Sequence, residues 1–125
     1  MAIQRFEEMK VWQDARILSK QVYKTTKTKD FRKDFSLRDQ IQRASVSVMS
    51  NIAEGYERDS NKEMIRFLNY SKGSVGEVRS LLYVALDQEY ISDKQFVELK
   101  DDAVLISTQI ANFIKYLKKR VYGKK

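Results

Sequence analysis

Proline is absent from all 125 residues of the chain, and glycine occurs only four times. Proline removes a helical hydrogen bond and clashes with the preceding turn, so it is the strongest helix breaker. Its absence leaves long helices free to form. Apolar residues recur every three or four positions, and no segment keeps the two-residue alternation of a half-buried strand. The sequence therefore predicts an all-α fold.

The helical period divides the chain into four segments and a short arm. We predict helices over about residues 11–28, 36–57, 61–89 and 93–122, preceded by an N-terminal arm at residues 1–10 that packs in an extended form. Capping boxes at residues 60–63 and 92–95 mark helix starts, and Gly123 suits the end of the last helix. Amphipathic helices joined by short loops predict a single-domain, antiparallel up-down-up-down bundle over residues 1–125.

The composition excludes most familiar enzyme classes, because the chain has no cysteine and no histidine. Thiolate nucleophiles, disulfides, the commonest general base and the commonest metal ligand are therefore missing. We expect a protein that is not an enzyme and that uses no cofactor, no metal and no small-molecule substrate. An all-carboxylate magnesium site built from Glu54, Glu63 and Glu77 stays open as the enzymatic alternative.

The first ten residues predict neither a signal peptide nor a membrane anchor. They carry charges of both signs and have no apolar core. Uncharged runs elsewhere fall short of the roughly 20 apolar residues that cross a bilayer. The expectation is a soluble, cytoplasmic protein without a membrane partner.

The net charge of +7 is concentrated at the two ends of the chain. Residues 1–34 hold nine basic and five acidic side chains, residues 92–125 hold eight and four, and the middle is close to neutral. The C-terminal run KYLKKRVYGKK has six basic groups and no acid. Such a run suits nucleic-acid phosphates, with Tyr116 and Tyr122 able to stack on bases. A solubilising helix end or an anionic membrane surface is the alternative.

The first predicted helix adds basic residues at spacings that place them on one face. If the first and fourth helices are neighbours, the two sets form one continuous basic patch. The candidate nucleic-acid-binding residues are Arg16, Lys20, Lys24, Lys27, Lys115, Lys118, Lys119 and Arg120.

The second and third predicted helices each carry a polar stripe beside the apolar one. Their extra face serves either contact between copies of the chain or buried hydrogen bonds and tight glycine packing inside one bundle. Both interpretations stay open. The candidate structural or interface residues are Arg43, Asn51, Glu54, Arg58, Gly73, Gly76 and Glu77.

The stretch QIQRASVSVMSNIAEGYER at residues 40–58 carries a family resemblance. With residues 10–13, 34–37, 67–68 and 73–74, it resembles proteins encoded within intervening sequences of bacterial 23S rRNA genes. Met49 departs from the pattern, because many family members resemble one another in having a proline at this position. The resemblance implies a four-helix bundle that assembles as a homopentamer around a central channel.

These observations predict a non-catalytic, oligomeric bundle that binds RNA or DNA through basic faces of its first and fourth helices. The expected partners are further copies of the chain and a nucleic acid. The alternative is an oligomeric scaffold for protein partners, with the basic residues serving solubility alone.

Overall fold

A computed structural model describes residues 3–28 and 30–123. The chain forms the helices α1 (Lys10–Thr26), α2 (Phe35–Glu57), α3 (Asn61–Asp87) and α4 (Asp93–Tyr122). Single-turn 3-10 helices at Phe6–Glu8 and Phe31–Lys33 precede α1 and α2. No strand occurs within the described ranges. The prediction of an all-α fold with four helices is confirmed.

One apolar core joins the helices into a four-helix bundle. α1 packs against α2 and α4, and α3 packs against α2 and α4. Burying one aliphatic side chain contributes about 1.5–3 kcal/mol, so core packing dominates helix stability. Among the described helices, none is both long and apolar enough to cross a membrane. The most deeply buried large side chains include Leu18, Ile41, Ile52, Leu68, Leu82, Ile106 and Ile110.

Side-chain caps fix where α2, α3 and α4 begin. Asp34 accepts a hydrogen bond from the Leu37 N–H at 3.1 Å. Ser92 and Gln95 form a complete capping box. Ser60 accepts from the Glu63 N–H at 3.3 Å, but the Glu63 carboxylate binds Arg58 and Arg66 instead of returning to Ser60. The capping box predicted at residues 60–63 is therefore only half formed.

The connection between α1 and α2 is more ordered than its polar sequence indicates. Phe31 is fully buried and stacks on Tyr90, with ring centroids 5.2 Å apart. The Tyr90 hydroxyl donates to Asp34 at 3.0 Å, and this hydrogen bond raises the pKa of Tyr90. The turn after α3 also shortens that helix, since Glu89 adopts a left-handed backbone with φ 61°.

The N-terminal arm is folded rather than extended. Met9 is buried, and Phe6 packs edge-on against Trp12, with ring centroids 5.1 Å apart. The Tyr56 hydroxyl donates to the Ile3 carbonyl at 2.8 Å and ties the arm to α2. Residues 1 and 2 of the predicted arm lie outside the described residues.

Candidate nucleic-acid interface

The basic end of α4 lies exposed on its last turns. Lys115, Lys118 and Lys119 line an open groove of about 470 Å³ that also includes Ala111, Ile114 and Tyr122. Arg120 lies elsewhere on the helix, with its guanidinium 5.5 Å from the Tyr116 ring centroid. Lys124 and Lys125 of the predicted run fall outside the described residues. The last turns of α4 thus present cations beside exposed aromatic rings.

The start of α3 adds a cation that the sequence did not single out. Lys62 Nζ lies 6.0 Å from the Tyr122 ring centroid, so the beginning of α3 and the end of α4 meet. In sequence, Lys62 belongs to the neutral middle of the chain, and no local signal connects it with the C-terminal run. Only the packing of α3 on α4 brings it there.

The basic residues of α1 do not join those at the end of α4. Lys24 lines a groove with Gln95 and Glu98, near the beginning of α4. At the other end of the pair, the Gln109 side-chain amide donates to Asp14 at 2.9 Å. Later residues of α1 therefore lie beside earlier residues of α4.

This order of contacts separates the two predicted basic sets. Lys24 lies beside Glu98, and Lys118 is twenty positions further along α4, so Lys24 and Lys118 are about 30 Å apart along the helix. Arg16, Lys20 and Lys27 are exposed on α1 and at its C-terminal cap. The expectation of one continuous patch on α1 and α4 is wrong, because carboxylates occupy the space between the two helices.

These carboxylates form what we call the acidic groove, made of Asp14, Glu98, Asp101 and Asp102. The groove occupies adjoining cavities of about 720 Å³ and 190 Å³ between α1 and α4. Burial raises the pKa of Asp102, and the neighbouring charges of Asp101, Glu98 and Asp14 raise it further. A groove with this charge repels a polyanion.

The candidate interface residues gather mainly on the outer surface shared by α2 and α3. Asn51 is satisfied inside α2, since its amide donates to the Ser47 carbonyl and hydroxyl at 2.9 and 3.0 Å. The Ser74 hydroxyl donates to that same Ser47 hydroxyl at 2.9 Å and links the two helices. The amide of Gln40 donates to Glu77 at 3.3 Å. Arg43 remains exposed on this α2–α3 surface.

A charged network closes the α2–α3 surface at the turn between the helices. Arg58 lies 3.3 Å from Glu54 and 3.5 Å from Glu63. Arg66 lies 2.7 Å from Glu63, and its hydrogen bond lowers the pKa of that carboxyl. The three carboxylates of the magnesium alternative do not converge. No group of three acidic side chains able to hold a metal ion occurs in the described part of the chain.

The glycines of α2 and α3 have two different environments: one is packed between the helices, and two face open space. A Cβ atom at Gly55 would lie 2.8 Å from the Phe67 Cβ and 3.0 Å from the Met64 Sδ, so α2 and α3 approach closely there. At Gly73 and Gly76, a Cβ atom would meet no other described residue within 4 Å. Tight packing inside one bundle therefore explains Gly55 but not Gly73 or Gly76.

The sequence profile of one family, described as 23S rRNA-intervening sequence protein, matches residues 7–112. The chain belongs to this family. The 23S rRNA-intervening sequence match covers α1, α2, α3 and most of α4, including residues 40–58 that carried the resemblance. The basic end of α4, from Lys115 to Arg120, lies beyond the matched region.

A solved structure supports the fold of this 23S rRNA-intervening sequence family member. It is a protein of unknown function from the S23 ribosomal protein family of Bacteroides thetaiotaomicron, with a TM-score of 0.77 and 24% sequence identity. The alignment covers 84% of this chain and 98% of that one. None of the curated proteins compared with the chain matches it. Neither the name of the family nor the description of the solved protein identifies a biochemical activity.

Proposed function

We propose that this protein is a non-catalytic, nucleic-acid-binding subunit of a homo-oligomer. Its four helices run up-down-up-down, in keeping with the reversed order of contacts between α1 and α4. The family's name makes ribosomal RNA the first nucleic acid to test, and such a target would place the protein in the cytoplasm. The pentameric count follows from the family resemblance.

The proposal rests on the end of α4, where the described basic side chains are not paired with carboxylates. No carboxylate lies within ion-pair distance of Lys115, Lys118, Lys119 or Arg120 in the residues that the structure describes. Exposed lysines release counterions from a phosphate backbone, which drives binding without base recognition. Tyr116 and Tyr122 are 54% and 66% exposed beside these cations and offer rings for stacking.

Binding to a fluorescent RNA oligonucleotide at a series of salt concentrations tests the nucleic-acid part. We expect binding at low salt that weakens steeply as salt rises, and a loss of affinity when Lys118, Lys119 and Arg120 are changed to glutamate. An affinity that ignores salt, or no binding by the wild-type protein at low salt, would contradict the proposal.

The open space at Gly73 supports self-association through the α2–α3 surface, whereas Gly76 lies on the side of α3 that faces α4. A glycine in a helix interior costs about 1 kcal/mol relative to alanine. Because no described residue lies close to the position of a Gly73 Cβ atom, a close approach by another copy is a physical reason for this glycine. The exposed Tyr70 ring lies on the same helix and supplies apolar contact area.

A matched pair of glycine variants tests this assembly. In Gly73→Leu, the new side chain enters open space in the free subunit, so helix stability is retained while the oligomer dissociates. In the control Gly55→Ala, overpacking against Phe67 and Met64 costs about 1–3 kcal/mol of folding stability, and the assembly surface stays unchanged. Light scattering measures the mass and urea unfolding measures the stability. A wild-type mass of one subunit would refute the oligomer.

A protein scaffold is the second candidate, and the acidic groove favours it. Ile17 and Leu105 are each 53% exposed and lie within the groove, beside Asp14 and Asp102. Apolar side chains bordered by carboxylates suit a cationic segment of a protein partner. Capture of a protein that survives nuclease treatment, survives Lys118→Glu with Lys119→Glu, and is lost with Glu98→Lys would favour the scaffold.

A further inference from the structure

A second basic stripe runs along α3, away from the α2–α3 surface. Lys62, Lys72 and Arg79 fall on a series that advances by three and four residues, which keeps its members on one face of the helix. None of the positions in the series is acidic: they are Lys62, Ile65, Asn69, Lys72, Gly76, Arg79 and Tyr83.

Contacts at both ends of α3 show that this stripe borders α4. At one end, Lys62 lies over the Tyr122 ring. At the other end, the Tyr83 ring packs edge-on against Phe96, with centroids 4.8 Å apart, and Lys100 Nζ lies 5.8 Å from the Phe96 centroid. The stripe therefore follows the line where the two helices meet.

α4 contributes a matching stripe to the same line. Its positions also advance by three and four residues, and none of them is acidic: they are Lys100, Val104, Ser107, Ala111, Lys115, Lys118 and Tyr122. We call the cations of the two stripes the basic seam, which consists of Lys62, Lys72, Arg79, Lys100, Lys115 and Lys118. When each series is continued toward the loop between the helices, it first reaches an acidic residue at Asp87 on α3 and at Asp93 on α4.

Within the described part of the chain, the charges of the basic seam have no acidic partners. No seam cation forms an ion pair with any residue in the described ranges. The Arg79 Nε is buried and makes no hydrogen bond to another described residue. A buried donor left without a partner is unfavourable, so an anionic acceptor that reaches this guanidinium would be favoured.

The dimensions of the seam suit an extended polyanion. Lys62 and Arg79 are seventeen positions apart, which corresponds to about 26 Å along the helix. Exposed tyrosines flank this length: Tyr122 is 66% exposed and Tyr83 is 50% exposed. A positive groove with aromatic rings is the usual arrangement for holding a single strand of nucleic acid, at about 4–16 nucleotides per module.

We propose that the basic seam between α3 and α4 is a binding track for one strand of nucleic acid. The seam cations contact the phosphates, while Tyr83 and Tyr122 stack on bases at the two ends. This inference rests on the proposed nucleic-acid function and moves its main surface from α1 to α3. It adds Lys62, Lys72, Arg79 and Lys100 to the binding residues.

Charge reversals on two helices test the track. Lys62→Glu with Lys72→Glu removes seam cations, and Arg16→Glu with Lys20→Glu makes the same charge change on α1; all four side chains are exposed. Fluorescence anisotropy with a single-stranded RNA 20-mer at low salt measures the affinity. Light scattering and circular dichroism verify that each variant assembles and folds like the wild type.

We expect the seam variant to lose about tenfold or more in affinity and the α1 variant to lose much less. Equal losses would overturn the track, since net charge alone would then act. A loss confined to the α1 variant would also overturn it while leaving the proposed function intact. No binding by the wild-type protein would refute the proposed function itself.

A second measurement tests whether the track prefers a single strand to a duplex and whether the two tyrosines stack on bases. Tyr83→Leu and Tyr122→Leu keep apolar bulk but remove the ring, and each is expected to weaken single-strand binding by about fivefold. A duplex of the same sequence should bind more weakly than the single strand, because its bases cannot reach the tyrosines. A duplex that binds equally well, with no effect of either substitution, would overturn the single-strand assignment.

Discussion

The two long sides of α4 carry opposite charge. Against α3, the helix borders the basic seam, whose cations have no carboxylate partners in the described ranges. Against α1, it borders the acidic groove, where Asp102 is crowded by Asp101, Glu98 and Asp14. The total charge of α4 hides this division. The direction in which each charged side chain points determines whether a surface attracts a polyanion. The net charge of the segment does not determine this.

The packing on the two sides also differs. The α3 side is joined by aromatic and apolar contacts, such as Tyr83 against Phe96. The α1 side includes a polar link, in which Gln109 donates to Asp14 at 2.9 Å, and α4 packs less extensively there. The basic seam thus lies on the more extensively packed side of α4.

The largest expected effect is on the salt dependence of RNA binding. Six seam cations on a single strand give a log–log slope of about −4, which weakens binding about 300-fold between 50 and 200 mM salt. Lys62→Glu with Lys72→Glu should reduce the size of the slope by about 1.4. Fluorescence anisotropy at four salt concentrations measures both values.

The acidic groove provides the contrasting variant for this measurement. Glu98→Gln with Asp101→Asn should leave the salt slope unchanged, because the groove contacts no phosphate in the proposed complex. A slope that changes as much in this variant as in the seam variant would break the distinction between the two sides of α4.

The next effect concerns the stability of the two packing surfaces. Phe96 is 8% exposed, and Phe96→Ala should lower the free energy of unfolding by about 3–5 kcal/mol. Gln109→Ala on the α1 side should cost only about 1 kcal/mol, as it removes one hydrogen bond from a half-buried amide. Urea unfolding at a fixed protein concentration measures both. Comparable losses would show that α1 holds α4 as tightly as α3 does.

Helix positions were predictable from sequence because their causes are local. The observed ends differ from the predicted ones by at most two residues. The apolar period locates each helix, and Ser92 with Gln95 fixes the start of α4 through bonds that span only three residues. Phe31 was missed since its burial depends on Tyr90, which lies far away in the chain.

The proposed binding surface was only partly predictable, because it depends on which helix faces meet. The exposed cations at the end of α4 stand out as a run in the sequence. Lys72 and Arg79 do not stand out, because they are spaced along a neutral segment. They form a basic surface only where α3 packs beside Lys100 and Lys115 of α4. The predicted union of the α1 and α4 cations failed for the same reason: adjacency of helices does not determine which positions become neighbours.

The smallest expected effect is on the acidic groove itself. The pKa of Asp102 is raised above its ordinary value of 3.8 by burial and by neighbouring carboxylates. The folded state therefore binds this proton more readily than the unfolded state, and stability rises as pH falls through the raised pKa toward 3.8. At neutral pH the ionised carboxylate is a net cost, so Asp102→Asn should stabilise the protein.

The gain from Asp102→Asn should stay below about 0.5 kcal/mol, since the side chain is only partly buried and solvent screens its interaction with the neighbouring carboxylates. Urea unfolding at pH 7 and at pH 3 measures it, and the advantage of the variant should disappear at the lower pH. High salt should also reduce the advantage at pH 7, because screening weakens the repulsion among the carboxylates. A variant less stable than the wild type at pH 7 would mean that the Asp102 carboxylate is held by a favourable contact. The groove would then not be the repulsive counterpart of the basic seam.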